Sequence, residues 1–422
     1  MPRDSSRPLP KQGRRESATP HWGLGASAYR PALGLTFVFL LGASSTVAFW
    51  SEAATWGRPL ATLLLLIATV TSTQGATPRT TPAARRIFFT LYLLAGLAAL
   101  STVWSVDPAT SASQAAALLA LVAIVDRSSS RRWIDRSAMV ADLSLVATVV
   151  NIALLSGLVA YLSDALDPTY SGRFQGYLNN PNLAAQIAAL ALWLSWGLFL
   201  ERPTLWRLAW LLPSLATLAL AESRTAIVAV AVGAAWSVLR AAPRAGGTLV
   251  LVATSLGASA LAFGLRPLTA VLSRFGSTAG GDEFSGRTFI WVDAIHLIRE
   301  NPLGYGWGTT PTINDDARFD FTSFHSSYLQ VAIEGGVIAL LLVAAVYLLL
   351  IQPMIRTHPA GIGAGLSALT ISAFVIDFTE SGIFGVGQPY PYLHWLAVGA
   401  LLALYAGQKL DQPATGRRDR ST

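Results

Sequence analysis

The sequence predicts an all-α polytopic membrane protein with about twelve transmembrane helices and a long extracytoplasmic loop containing short helices. Three observations carry that expectation. Of 422 residues, 53% are hydrophobic and only 13% charged, with a mean hydropathy of +0.49. That is too little charge to clothe a soluble protein of this size. The apolar residues also gather into blocks, several long enough to cross roughly 30 Å of hydrocarbon. Finally, positive charge falls unevenly on alternate connections, as membrane orientation requires.

The apolar blocks lie at about 31–50, 59–73, 87–103, 112–126, 138–162, 183–200, 207–221, 224–241, 247–264, 327–350, 361–378 and 391–406. Several are short and must borrow flanking polar residues to span. No internal repeat is strong enough to argue for an inverted-repeat transporter. Residues 1–30 are basic and rich in Pro and Ser, and read as a disordered cytoplasmic tail. Because many spans follow, block 31–50 reads as a first span rather than a cleaved signal peptide. The expected organisation is therefore tail 1–30, nine spans over 31–264, outer loop 265–326, three spans over 327–406 and a basic cytoplasmic tail 407–422.

With the N-terminus cytoplasmic, the inner segments hold 22 of the 30 Lys and Arg residues. The other face holds eight: Arg58, Arg173, Arg224, Arg266, Arg274, Arg287, Arg299 and Arg318. This is the positive-inside pattern of a multi-pass cytoplasmic (inner) membrane protein with both termini inside. The net charge of +7 and pI near 9.9 thus follow from topology, and no nucleic acid partner is expected. Membrane lipids are the partners expected for the basic tails. Cysteine is absent, which excludes disulfides, thiol catalysis and Cys-ligated metals.

Arginine is disfavoured on the translocated side, so the eight there invite a reason. Five lie in loop 265–326, with "GGDEFSGRTFIW", "NPLGYGWG" and, near its end, His325. About sixty residues is too long for a connector. The stretch "WVDAIHLIRE" predicts a short amphipathic helix with Ile290, Ala294 and Leu297 on one face, as in a folded cap. The competing explanation is that long loops translocate whatever their charge.

Two shorter outer segments add candidates. In "YSGRFQGYLNNPNLAA", Arg173 sits between glycines that let backbone N–H groups approach an anion. Asn179, Asn180 and Asn182 surround Pro181 at a predicted helix start, which favours negative charge. In "LALAESRTAIV", Arg224 follows Glu222 in a short break between apolar blocks, where ionisable groups are costly unless paired or wet. A Glu222–Arg224 ion pair, or snorkelling, is the plainer alternative. Arg287 falls at or just before the first turn of the cap helix, and guanidinium suits bidentate clamping of a diphosphate. Asp315 and Asp316 leave a cation site open, but an arginine clamp fits the composition better than a metal.

His325, in "FTSFHSSYLQVAIEGG", stands where the loop meets the tenth span. Imidazole can take a proton from a sugar hydroxyl near neutral pH, provided it lies beside the arginines. The alternative is an interfacial histidine packed on Tyr328. Asp377 and Glu380, at the outer end of the eleventh span, are candidates to orient the histidine or an arginine, or to form a proton path. His394, in an aromatic-belt helix start, reads as structural.

The ordered set "STVWSVDP", "GRFQGYLNNPNLAA", "LALAESRTAIVA", "FSGRTFIWVDAIHLIRENPLGYGWG" and "FHSSYLQVAIEGGVIALLL" resembles the O-antigen ligase/polymerase superfamily of membrane glycosyltransferases. The resemblance implies metal-independent, inverting transfer of a glycan from a polyprenyl-diphosphate carrier, on the outer face, without a cofactor. It matches Arg224 and Arg287 to the family's donor-diphosphate arginines, His325 to its acceptor-activating histidine and, more weakly, Arg173 to a basic residue of the "GR…NPN" segment. The acceptor it implies is a hydroxyl on a glycan, lipid or protein. The family commonly has Asn after the histidine, where this chain has Ser326. Ligase and polymerase share the donor chemistry, so both readings stand. A transporter remains the alternative from another class, with Glu334 inside the tenth span its best support.

Overall fold

The computed structural model describes residues 24–163, 169–170, 172–240, 287–315 and 323–410. Element labels below count only these residues. The chain runs through α1 (Leu24–Ala43), α2 (Ala48–Ser72), α3 (Pro82–Leu100), α4 (Pro108–Arg127) and α5 (Arg136–Leu162). A two-residue hairpin, β1 (Thr169–Tyr170) and β2 (Arg173–Phe174), leads to α6 (Pro181–Glu201), α7 (Leu205–Ala209), α8 (Leu211–Ala221) and α9 (Arg224–Arg240). After the gap come α10 (Arg287–Glu300), α11 (Thr310–Asp315), α12 (Ser327–Arg356), α13 (Ile362–Thr379) and α14 (Pro389–Leu410). The ninth apolar block, 247–264, the tail beyond 410 and much of loop 265–326 lie outside the described residues.

Three helices start with one device: Thr81, Asp107 or Asn180 accepts a backbone N–H, and a proline follows at the first helical position. The proline supplies a preset φ and has no N–H to leave unbonded. At Asp107, the Thr110 hydroxyl and amide donate to the carboxylate and hold its pKa below the ordinary carboxylate range.

The all-α polytopic class is as expected, but the span count is not. Among the described residues, seven helices are long and apolar enough to cross a membrane, against about twelve predicted. Of the five blocks not among the seven, 247–264 lies outside the described residues, and the other four have local causes. The block 31–50 breaks at Ala43, where Ser45 bridges to Leu178, and α2 begins already at Ala48. Block 207–221 is divided at Trp210 between α7 and α8. Helix α9 has 17 residues, and α14 is long enough but carries Tyr390, Tyr392, His394, Gln408 and Lys409 among its apolar residues.

Helix α6 forms the centre, with 89% of its apolar stretch buried against 33% in α12. It packs on α13 through glycines: a Cβ on Gly365 would stand 2.4 Å from the Trp193 carbonyl oxygen. Small residues let two backbones close together where lipid offers no hydrophobic drive between helices.

Hydrogen bonds sort the connections into two ends of the bundle. One end joins Asn179 to Ser44, Arg58 to Gly387, Val106 to Tyr305 and Ser327 to Glu380. The other joins Arg79 to Ser130, Arg131 to Thr73, Arg136 to Glu201 and Arg240 to Thr357. These are the same two sets that the charge pattern separates. At the second end, Asp142 is fully buried and accepts two bonds from Arg132 (2.7 and 2.9 Å), one from Trp133 (3.0 Å) and one from Arg30 (3.0 Å). Asp142→Asn removes the charge and strands Arg132, itself only 3% exposed at its side chain. We expect a loss of about 3 kcal/mol or more, measurable as a lowered thermal midpoint in detergent.

Candidate functional site

The site is assembled where α12 starts. Ser326 caps the helix, its hydroxyl accepting the Leu329 N–H at 3.5 Å, while its own N–H donates to Ser381 Oγ at 3.2 Å. Asparagine is an equally good cap, so Ser326 preserves the helix start despite departing from the family's usual residue. One residue on, the Ser327 N–H donates to the Glu380 carbonyl at 3.0 Å. The Ser327 hydroxyl lies 3.0 Å from both that carbonyl and Asp377 Oδ1, and accepts the Gly382 and Ile383 N–H groups. Asp377, fully buried, also accepts from Tyr347 and Tyr390. It therefore fixes helix ends and does not touch His325.

Glu380 reaches outward from this junction. Its Oε1 takes a 2.6 Å hydrogen bond from Arg287 Nη2, and its Oε2 lies 3.6 Å from His325 Nδ1. The side chains of Arg287, Glu380 and His325 are 15%, 8% and 31% exposed. His325 is held in the left-handed region at φ 48°, with its N–H bonded to Ser323 Oγ. Few non-glycine residues adopt that conformation unless their surroundings impose it. Arg287 is the first residue of α10, which the Trp291 indole ties to the Phe324 carbonyl at 3.2 Å. Ala294 and Leu297, on the face expected from sequence, form a small core with Phe324 and Ile333, with Ile290 against it.

The other arginines approach through α8 and α9. Glu222 ends α8 at φ 49°, and Arg224 opens α9. The hydroxyls of Thr225 and Thr379 meet at 2.8 Å, setting the residue after Arg224 against the residue before Glu380. Arg173 donates twice to the Ala221 carbonyl, at 3.0 and 2.8 Å, and once to Asn182 at 2.8 Å. Asn180 in turn accepts the Asn182 N–H. Arg173 and Asn182 thus close the C-terminal end of α8, where a cation complements the unpaired carbonyls.

Sequence reasoning missed what holds the loop down. In "NPLGYGWG", the Tyr305 and Gly306 N–H groups donate to the Ile333 and Glu334 carbonyls, and Pro302 accepts from Val337. Helix α12 is broken there, with Gly336 at φ 76°. A Cβ on Gly304 would stand 2.5 Å from the Gly336 nitrogen, so the two backbones require glycine. The Glu334 carboxylate accepts from Gly308 N (2.9 Å), Thr310 Oγ1 (2.5 Å) and Gln330 Nε2 (2.9 Å). "STVWSVDP" completes the unit: Val106 donates to the Tyr305 carbonyl, and Ser101 Oγ accepts the Trp307 N–H. Glu–Gly–Gly in a helix pattern facing a glycine-rich loop was the available signal. Asp316 lies outside the described residues, and among those described no three His, Asp or Glu side chains are grouped to hold a metal ion.

Two cavities flank the start of α12. An apolar groove of about 990 Å³ runs along it from Ser326 to Ile355, walled by Trp236, Trp291, Tyr328, Phe374 and Phe378. On the other side, Ser327 lines a polar cavity of about 330 Å³ with Arg58, Gln114, Asn179, Trp307, Gln330 and Gln388.

A family model described as O-Antigen ligase matches residues 209–344, which include Arg224, Arg287, His325 and Glu334. An "O-antigen ligase" of Pseudomonas aeruginosa is 29% identical over 294 residues, covering 68% of this chain. The two matches support assignment of the chain to the O-antigen ligase/polymerase superfamily. It spans 66% of that relative's length, just under two thirds. The matched region includes Arg224, Arg287 and His325, whereas Arg173, Asp377 and Glu380 lie outside it. Ser326→Ala should lower stability by about 1 kcal/mol through loss of the cap. Ser326→Asn should leave the thermal midpoint near wild type.

Proposed function

We propose that the chain is a metal-independent, inverting glycosyltransferase that moves a glycan from a polyprenyl-diphosphate carrier to an acceptor hydroxyl. The observation that carries this reading is the Arg287–Glu380–His325 cluster, whose neighbours Ser326 and Thr379 line an apolar groove and whose neighbours Ser327 and Gly382 line a polar cavity. A lipid-linked glycan has the same three parts in the same order: an apolar tail, a dianionic diphosphate linker and a polar sugar. The isoprenoid would lie in the groove, the diphosphate against Arg287 and Arg224, and sugar rings in the cavity, where Trp307 and side-chain amides suit carbohydrate.

The reaction follows from the bond to be broken. The acceptor oxygen attacks the anomeric carbon from the face opposite the diphosphate, and the carbon–oxygen bond to the carrier breaks. Its electron pair departs on polyprenyl diphosphate, whose growing charge Arg287 and Arg224 stabilise. The acceptor proton passes to His325, whose Nδ1 faces Glu380 and whose Nε2 is left for the substrate. Arg173, Asn182 and Glu222 shape the α8–α9 turn that presents Arg224, and Asp377 fixes the α13 end behind Glu380.

The bundle end carrying the cluster would face the extracytoplasmic side, with loop 265–326 as a cap and both tails cytoplasmic. The shorter helices would join the seven long ones in a twelve-span layout. The relative's printed name favours a ligase, while transfer onto a second lipid-linked glycan would make the chain a polymerase. Against a transporter, the carboxylate of Glu334 is occupied by loop and side-chain donors.

Purified protein given polyprenyl-diphosphate glycan and candidate acceptors should yield a transferred product by mass analysis. Arg287→Ala, Arg224→Ala and His325→Ala should each lower the rate by about 100-fold or more in protein that stays folded. Full transfer by the Arg287 and His325 variants would refute the mechanism.

A further inference from the structure

Glu380 now occupies the guanidinium that the proposed mechanism assigns to the donor. Arg287 is 15% exposed and Glu380 8%, so neither charge has much water to replace a lost partner. Removing one member of such a pair is costly, but exchanging it for a stronger anion is not. The second carboxylate oxygen already points at His325, 3.6 Å from Nδ1, and among the described residues that nitrogen has no hydrogen-bond partner. We infer that Glu380 is a positioning residue that is handed over: it neutralises Arg287 in the empty site, is displaced by the donor diphosphate and then bonds His325. This rests on the glycosyltransferase reading above.

The geometry allows a small movement to do this. Glu380 follows α13, and its carbonyl and the preceding Thr379 are pinned by Ser327 and Thr225, so the backbone stays while the side chain turns. The groups facing it are Arg287 from α10 and His325 from the segment before α12, while the Thr225–Thr379 bond brings the start of α9 against the residue before it. Asp377 and the Tyr390 hydroxyl lie behind, bonded to each other. Closing 3.6 Å to hydrogen-bond distance would fix the imidazole ring and favour its protonated form as the acceptor proton arrives. The base is thereby strengthened only when a donor is present, which ties proton removal to a loaded site.

The test uses polyprenyl diphosphate without sugar as the binding probe, and the transfer assay for rates. Glu380→Gln should bind the probe as tightly as wild type or more tightly, because the resident anion is gone. Its kcat should fall by about 100-fold, and the acid limb of its pH–rate profile should move to lower pH. Glu380→Asp, which keeps the charge, should return that limb toward the wild-type position. Weaker probe binding by Glu380→Gln with kcat and the limb unchanged would overturn the inference, since Glu380 would then only hold Arg287 in place. Arg287→Ala tests the underlying reading separately: if it binds the probe like wild type, the diphosphate site itself is misplaced.

Discussion

The contact between Ser327 and the end of α13 is the constraint on which the site depends. One serine bonds the Glu380 carbonyl, approaches Asp377 and accepts two N–H groups of the following turn. In a membrane bundle, unpaired backbone groups at helix ends are expensive. Here they are satisfied by joining two helix ends to each other. The consequence is that His325, two residues before Ser327, and Glu380, at the bonded carbonyl, must be neighbours. Arg287 then reaches the pair because α10 is fastened to the same segment through Trp291 and Phe324.

A second constraint acts from the loop side. The broken helix at Gly336 exposes carbonyls that "NPLGYGWG" covers, and Glu334 binds the loop from within. Because the loop also bonds the segment after α3, three stretches far apart in the chain are joined behind Trp307 and Gly308, which line the polar cavity. A buried carboxylate engaged by four donors is a structural device, which is why its position inside a span need not mark a transport path.

Much of this was legible in sequence. Hydropathy located the helices, and charge asymmetry separated the two ends that hydrogen bonds later defined. Arg287 and His325 stood out as ionisable groups beside apolar blocks, and both lie against the Glu380 carboxylate. Other parts were hidden because they depend on tertiary pairing. Glu380 looked equivalent to Asp377, yet one faces the cluster and the other is buried behind it. Arg173 looked like an anion-binding loop residue, but its donors are engaged by Ala221 and Asn182. Spans were misjudged where a serine pair or a tryptophan interrupts a helix without a clear gap in hydropathy, or where polar residues dilute an unbroken one.

The central claim is that an amphiphilic donor lies across the start of α12, its tail in the apolar groove and its charge at Arg287. Photo-cross-linking with a polyprenyl diphosphate bearing a reactive group in its first isoprene units tests this directly. Mapping of the labelled peptides should find Tyr328, Phe374, Phe378 or Trp291. Labels confined to helices away from that groove, such as α2 or α3, would contradict the account.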